Sequence, residues 1–184
     1  MIGMPVTWLD GEVKSVIGNA YALAQGGSRT VIGEEHLLAA ILETPAGAAW
    51  LGPLTATRVR EEIWPAVRGA RLTGGLSATD RAALGGLGLD LPSLNQQLDS
   101  LDRAEVLQCP ARPSGGWSRR MTDAAAVVLA RAEDLAVAKG SRAVGMRELV
   151  TALVEVPSLI TEHLAVRGIT KESVRLRQQD GDEQ

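Results

Sequence analysis

Ala20–Glu43, which reads AYALAQGGSRTVIGEEHLLAAILE, decides the fold because it occurs twice in the chain. The second copy, Ala132–Glu155, reads AEDLAVAKGSRAVGMRELVTALVE and aligns without a gap at an offset of 112 residues. The identities that recur in register are Ala20/Ala132, Leu23/Leu135, Ala24/Ala136, Gly33/Gly145, Leu37/Leu149, Ala40/Ala152 and Glu43/Glu155. Two unrelated amphipathic helices would not keep glycines and apolar positions in register together, so the chain is predicted to be a tandem repeat.

Each copy is predicted to begin with two helices separated by a loop. In the first copy Asp10 caps a helix whose apolar residues recur at helical spacing, and Gly26-Gly27 ends it. Gly33 precedes a second helix with two glutamates in its first turn, where the helix dipole favours carboxylates. In the second copy Met121-Thr122 aligns with Leu9-Asp10, so both copies are predicted to start a helix at the same place.

Two shorter helices are predicted to complete each copy. Pro45 stops the second helix, a short third helix spans 46–51, and Thr57 caps a fourth. All four helices of the second copy are thus expected, and they begin near Thr122, Gly145, Ser158 and Thr170.

The chain divides by sequence into four segments. Between the copies, Gly74-Gly75 and Pro110–Gly116 are typical of linkers. Ser77 followed by Asp80 indicates the cap of one inserted helix, and the helical spacing of leucines after Asp90 indicates a second. The predicted segments are repeat 1 at 1–69, a linker with inserted helices near 77–85 and 91–106 at 70–120, repeat 2 at 121–179, and a disordered tail at 180–184.

Composition favours an all-α fold. Hydrophobic residues make up 45% of the chain but include no Phe and one Tyr, so aliphatic residues must form the core. A net charge of −3 argues against nucleic acid and anionic membranes as partners. With Cys109 the single cysteine, no internal disulfide or cysteine metal cluster is expected. No signal peptide or membrane span is recognisable, so a cytoplasmic location is expected.

Three motifs resemble one family. Val31–Leu38 resembles the "IGTEHLL" signature of the Clp N-terminal repeat, found on Hsp100 unfoldases of the ClpC and ClpA type. Met121–Ala125 resembles the "FTPRA" start of the same repeat, and Ala78–Leu101 resembles the insert of stand-alone Clp-N proteins of actinobacteria. In the second copy the signature is degenerate, with Gly145–Glu148 in its place.

The resemblance implies an all-α fold of two pseudo-symmetric four-helix repeats joined by a long, partly helical linker. In Hsp100 unfoldases this domain docks adaptors and substrates ahead of the ATPase rings. The chain contains no GxxxxGK[ST] phosphate loop and ends after the second repeat, so we expect it to bind rather than unfold. No cofactor, no metal and no ATPase or peptidase activity is expected.

Glu35 is the first candidate for ligand binding. In ClpC-type relatives the glutamate of the signature helps to recognise phosphorylated arginine, since a carboxylate pairs with a guanidinium. The alternative is that Glu34 and Glu35 only stabilise the helix N-terminus. Arg147 occupies the matching position of the second copy and reverses the charge, so at most one such pocket is expected.

A hydrophobic surface between the repeats is the second candidate. In ClpC relatives aromatic residues at the start of each repeat bind cyclic-peptide antibiotics there. Val6, Leu9 and Met121 stand where Phe is common in the family, and Trp8 and Trp117 would supply aromatic contact instead. The alternative is ordinary packing of these residues onto the core.

Catalysis is a weaker interpretation. His36 belongs to the family signature and is expected to order the helix start through a hydrogen bond. A hydrolase using His36 with Glu35 is the rival hypothesis, but no nucleophile motif accompanies it, and His163 gives no metal spacing. Trp50 and Trp64 are expected in the core.

The leading hypothesis is therefore a non-catalytic module that binds peptide-like ligands. The expected partners are cyclic peptides and a ClpC-type unfoldase or its substrates. It would act either as a decoy for antibiotics that target the unfoldase, or as an adaptor or regulator of a Clp protease. A purely structural interaction module without a small ligand is the third possibility.

Overall fold

A computed structural model describes residues 8–26, 31–67, 85–88 and 121–180, with the backbone alone at Trp8. Two compact units emerge from the contacts: Met1–Ile63 with Gly116–Gln184, and Trp64–Gly115. Repeat 1 as far as Ile63 and all of repeat 2 belong to the first unit. In the second unit, the described residues are a helical stretch at 64–67 and a helical turn at 85–88, with Leu87 exposed. The inserted helices predicted near 77–85 and 91–106, apart from Gly85, and the tail residues 181–184 lie outside the described residues.

The first unit is helical, as predicted, and each repeat supplies four helices in the same order. Repeat 1 contains β1 (Trp8–Leu9), α1 (Gly11–Gly26), α2 (Glu34–Leu42), α3 (Pro45–Leu51) and α4 (Ala56–Arg58), which continues as a π-helical turn (Val59–Ile63). Repeat 2 contains α5 (Asp123–Ala138), β2 (Ala143–Val144), α6 (Met146–Glu155), α7 (Leu159–Val166) and α8 (Lys171–Asp180). The bounds of α1 and α5 differ by the repeat offset at both ends, so the pseudo-symmetry predicted from sequence is confirmed.

The predicted caps of the first helices are confirmed. Asp10 Oδ1 accepts a hydrogen bond from the Val13 amide at 2.7 Å. Thr122 Oγ1 accepts one from the Ala125 amide at 3.2 Å. Each side chain thereby satisfies an amide that has no partner within its own helix.

The cap predicted for the fourth helix of repeat 1 is wrong. Thr55, not Thr57, precedes α4 with an extended backbone, and its Oγ1 accepts a hydrogen bond from the Arg58 amide at 3.3 Å. Pro45 ends α2 as expected but also begins α3 as its first residue, where a missing amide costs nothing. Thr44 caps α3, because its Oγ1 accepts from the Gly47 amide at 3.0 Å.

The core is built on α2 and α6. All nine residues of α2 are buried, and α2 packs against α1, α3, α5 and α6. In repeat 2, α6 packs in the same way against α5, α7 and α8. The largest fully buried side chains are aliphatic: Ile17, Ile32, Leu37, Leu38, Ile41, Leu51, Ile63, Leu149, Leu153, Ile160, Leu164 and Ile169. Each contributes roughly 1.5–3 kcal/mol by leaving water, which explains how a chain without Phe builds a core.

Short extended segments of the two repeats pair with each other. Leu9 at the start of repeat 1 pairs in parallel with Val144, which precedes α6 in repeat 2. Met121 at the start of repeat 2 pairs in parallel with Ile32, which precedes α2 in repeat 1. The two pairs are equivalent under the repeat offset, so each repeat completes the other.

Backbone hydrogen bonds between the two repeats show the same symmetry. The Asp10 amide donates to the Val144 carbonyl at 3.1 Å, and the Thr122 amide donates to the Ile32 carbonyl at 2.8 Å. The residue that caps the first helix of one repeat is therefore also fixed to the loop of the other.

Within the described ranges, no single helix is long and apolar enough to cross a membrane. The helices α6 and α7 meet the length and composition requirement only together, and they are bent by 91° at their connection.

Candidate ligand-binding site

The start of α2 holds three polar side chains out of solvent. Glu34, Glu35 and His36 are 3%, 5% and 4% exposed. The Gly33 amide donates to His36 Nδ1 at 2.9 Å. The prediction that His36 orders this helix start through a hydrogen bond is therefore confirmed.

The Glu35 carboxylate occupies the space that a side chain at residue 33 would fill. A Cβ at residue 33 would stand 2.6 Å from Glu35 Cδ and 2.7 Å from Oε1. Glu35 is thus folded back over the start of its own helix. A ligand guanidinium would reach this carboxylate only after the side chain had turned outward.

The position of the His36 proton follows from the hydrogen bond that it accepts. Because Nδ1 accepts from a backbone amide, the imidazole in this arrangement carries its proton on Nε2. Glu35 Oε1 lies 3.6 Å from Nδ1, which is too far for a hydrogen bond. The pair is packed together rather than arranged as a base and its orienting carboxylate.

Repeat 2 performs the same capping with a different side chain. Glu148, which aligns with His36, accepts a hydrogen bond at Oε2 from the Gly145 amide at 3.2 Å. Lys139 Nζ lies 2.7 Å from Glu148 Oε1. Burial raises the pKa of Glu148, but the Lys139 ammonium and the backbone amides of residues 148 and 145 outweigh it and hold the pKa below 4.5.

Arg147, at the position of Glu35, joins three helices. Its Nη2 donates to the Gln178 carbonyl of α8 at 3.1 Å, and its guanidinium lies 5.9 Å from the centre of the Trp50 ring of α3. Arg177 of α8 donates to the Trp50 carbonyl at 3.0 Å. The reversed charge in repeat 2 thus has a structural role at the contact between the repeats. Trp50 is half-buried at this contact.

The hydrophobic-surface candidates fall into two groups. Leu9 is half-buried and lies in the strand pair β1–β2, whereas Met121 is 9% exposed and lies at the equivalent position in the single β-bridge to Ile32. Trp8 pairs with Ala143 through its backbone. Val6 and Trp117 lie outside the described residues.

Sequence reasoning missed a charged cluster beside a groove on repeat 2. Glu155 Oε2 lies 2.8 Å from Arg131 Nε, and Glu155 Oε1 lies 2.6 Å from Lys171 Nζ. Burial raises the pKa of Glu155, but hydrogen bonds from Lys171 and Arg131 outweigh it and keep the pKa below 4.5. The recurrence of Glu43 as Glu155 was the available signal, but the cationic partners come from other helices.

A second cluster, also missed, ties repeat 1 to repeat 2. Glu62 of the π-helical turn accepts hydrogen bonds from Arg167 at 2.7 Å and from Arg58 at 3.1 Å. The Arg167 hydrogen bond is the main cause that lowers the pKa of Glu62. Among the described residues, no group of three or more His, Cys, Asp or Glu side chains is placed to hold a metal ion.

Comparison with known proteins supports the fold. Neither the protein-family models nor the curated proteins give a match to this sequence. Among solved structures, the chain is similar to the N-terminal domain of the caseinolytic protease associated chaperone ClpD from Arabidopsis thaliana, with a TM-score of 0.59 over the whole of both chains at 12% identity. The prediction of a Clp N-terminal fold is confirmed, and kinship with the stand-alone actinobacterial proteins stays a prediction. The chain has the all-α architecture of a Clp N-terminal domain.

Proposed function

We propose that this protein is a non-catalytic module that binds peptide-like ligands at the junction of its two repeats. The observation that carries the proposal is the reciprocal pairing of Leu9 with Val144 and of Met121 with Ile32. It places two large aliphatic side chains, at positions where the Clp-N family has aromatic residues, on the elements that join the repeats. Ligand pockets occur preferentially at interfaces between packed units such as domains.

The proposed ligand is a cyclic peptide of the kind that targets ClpC-type unfoldases, which the protein would sequester as a decoy. The resemblance to the Clp N-terminal repeat supports this ligand class. Leu9 and Met121, in place of aromatic residues, offer aliphatic contact but no ring stacking at these two positions. We therefore expect weaker affinity for any one cyclic peptide than an aromatic surface would give.

We assign Glu35 to the helix start and not to ligand binding. Its 5% exposure and its contact with Gly33 support this assignment. Arg147, its counterpart, is engaged with Gln178 and Trp50. A phosphoarginine peptide should accordingly bind no more tightly than its unphosphorylated form.

Calorimetric titration with a ClpC-directed cyclic peptide tests the proposal. We expect saturable binding, weakened about tenfold by Leu9→Ser. Leu176→Ser is the matched control, since Leu176 of α8 is 59% exposed and its loss should leave the affinity unchanged. If no heat of binding is measured up to high micromolar concentrations of the peptide, the decoy proposal is wrong. Co-purification with an unfoldase in place of peptide binding would support the adaptor role.

A further inference from the structure

Repeat 2 carries an open groove on its outer face that the proposed ligand junction does not include. The groove encloses about 700 Å³ between α5, the end of α6 and the first residue of α8. Its apolar lining includes Val127, which is 52% exposed, together with Val154 and Val156. Val127 is the most exposed of these apolar side chains, since Val154 and Val156 are 6% and 9% exposed.

Two cations, Arg131 and Lys171, line the same groove together with the carboxylates of Asp134 and Glu155. The side chains of Arg131 and Lys171 are 42% and 64% exposed, whereas the side chain of Glu155, which bridges them, is 10% exposed. Solvent therefore meets the guanidinium and the ammonium much more than the carboxylate that pairs with them. An incoming carboxylate would be attracted at this end of the groove.

Repeat 1 has the same helices but a different set of side chains at this place, where Glu43, the equivalent of Glu155, pairs with Arg60. The positions equivalent to Val127, Arg131, Val156 and Lys171 carry Ser15, Asn19, Thr44 and Val59. The exposed valine and the two cations on Glu155 thus distinguish repeat 2 from repeat 1.

The connection after α6 also differs from its counterpart. Two residues separate α2 from α3, but three residues separate α6 from α7, and the first of them, Val156, has an extended backbone. In repeat 1 the equivalent residue, Thr44, is also extended, but it directly caps α3. The extended connection leaves Val156 and Pro157 along the edge of the groove.

We propose that this groove binds an extended peptide segment in which an aliphatic side chain stands next to a carboxylate. The aliphatic side chain packs on Val127 and Val156, and the carboxylate meets Arg131 and Lys171. This surface is separate from the repeat junction, so the proposal does not depend on the function proposed above.

Asp134 allows the charge preference of the groove to be distinguished from non-specific hydrophobic binding. It lies one turn after Arg131 on α5, lines the groove and is exposed. Its negative charge opposes a ligand carboxylate. Removing that charge should tighten binding of an acidic peptide, whereas removing the charge of Arg131 should weaken it.

Amide chemical shifts of the 15N-labelled protein test the proposal with two capped peptides, acetyl-Gly-Leu-Glu-Gly-amide and its Gln counterpart. We expect saturable shifts at Val127, Val156 and Lys171 with the Glu peptide, and about fivefold weaker binding of the Gln peptide. Val127→Ser with Arg131→Asn, the residues that repeat 1 carries, should weaken the Glu peptide about tenfold, and Asp134→Asn should strengthen it about twofold.

Three outcomes would overturn the proposal: equal binding of the two peptides, an Asp134→Asn change that weakens the Glu peptide, or no saturable shift up to millimolar peptide. Thermal unfolding of each variant controls for folding. Excess cyclic peptide should leave these shifts in place, which separates this groove from the junction.

Discussion

His36 and Glu148 hold the same position in the two repeats and perform the same task with different chemistry. An imidazole nitrogen accepts from the Gly33 amide, and a carboxylate oxygen accepts from the Gly145 amide. The glycine before each helix and the polar residue three positions later were readable in sequence. The direction in which Glu35 folds was not, because it depends on the space left by a missing side chain at Gly33.

The His36 cap can be tested by changing its acceptor. His36→Leu should destabilise the protein by about 1–3 kcal/mol, because the buried Gly33 amide loses its partner. His36→Gln keeps an acceptor oxygen and should cost less. Urea unfolding measures both; equal losses for Leu and Gln would show that packing, not the hydrogen bond, is what His36 contributes.

The contact between Gly33 and Glu35 predicts that two substitutions interact. Gly33→Ala alone should destabilise, since its Cβ would displace the Glu35 carboxylate. In a protein that already carries Glu35→Ala, the same change should cost much less. A double-mutant cycle of unfolding free energies should give a coupling of about 1 kcal/mol, and strict additivity would contradict the geometry.

Lowering the pH should reduce the free energy of unfolding through Glu148 and Glu155, whose pKa values lie below the usual 4.5. A carboxylate with a lowered folded-state pKa stabilises the fold above its unfolded pKa, and this stability is lost as the pH falls through the folded value. Unfolding free energy should therefore decline below about pH 4.5. The double variant Glu148→Gln with Glu155→Gln should be less stable at neutral pH and should lose less on acidification; an unchanged slope would contradict this.

At the scale of elements, helices were predictable and the strand exchange was not. Helical spacing and caps located α1, α2, α5 and α6, and their burial follows the apolar positions of the repeat. Two-residue strands such as Trp8–Leu9 carry no alternation of polar and apolar residues to recognise. The fourth-helix cap was misplaced because Thr55 and Thr57 are both suitable caps, and backbone conformation decides between them.

The two strand pairs predict a reciprocal pattern of local opening. Leu9→Gly should speed hydrogen exchange of the Asp10 amide, which bonds to Val144, and leave the Thr122 amide protected. Met121→Gly should do the reverse and cost more global stability, because Met121 is the more buried. Amide exchange followed by NMR distinguishes the two; equal response of both amides to either change would mean that the pairs do not open separately.

At the scale of the molecule, the repeats form one unit because their contacts cross between copies. Arg147 of repeat 2 lies over Trp50 of repeat 1, and Glu62 of repeat 1 accepts from Arg167 of repeat 2. The tandem repeat and the fold class were predictable, since both show in the spacing of apolar residues along the chain. Sequence could not give these pairings, which depend on how two copies dock and on residues that differ between them.

The most direct test of the account is a titration of the 15N-labelled protein with a ClpC-directed cyclic peptide, followed by amide chemical shifts. We predict saturable shifts at Leu9, Asp10, Met121 and Thr122, on both strand pairs at once, with the amides of Arg131 and Lys171 unchanged. Shifts that never saturate, or saturable shifts confined to residues away from both pairs, would contradict the claim that the repeat junction is the binding site.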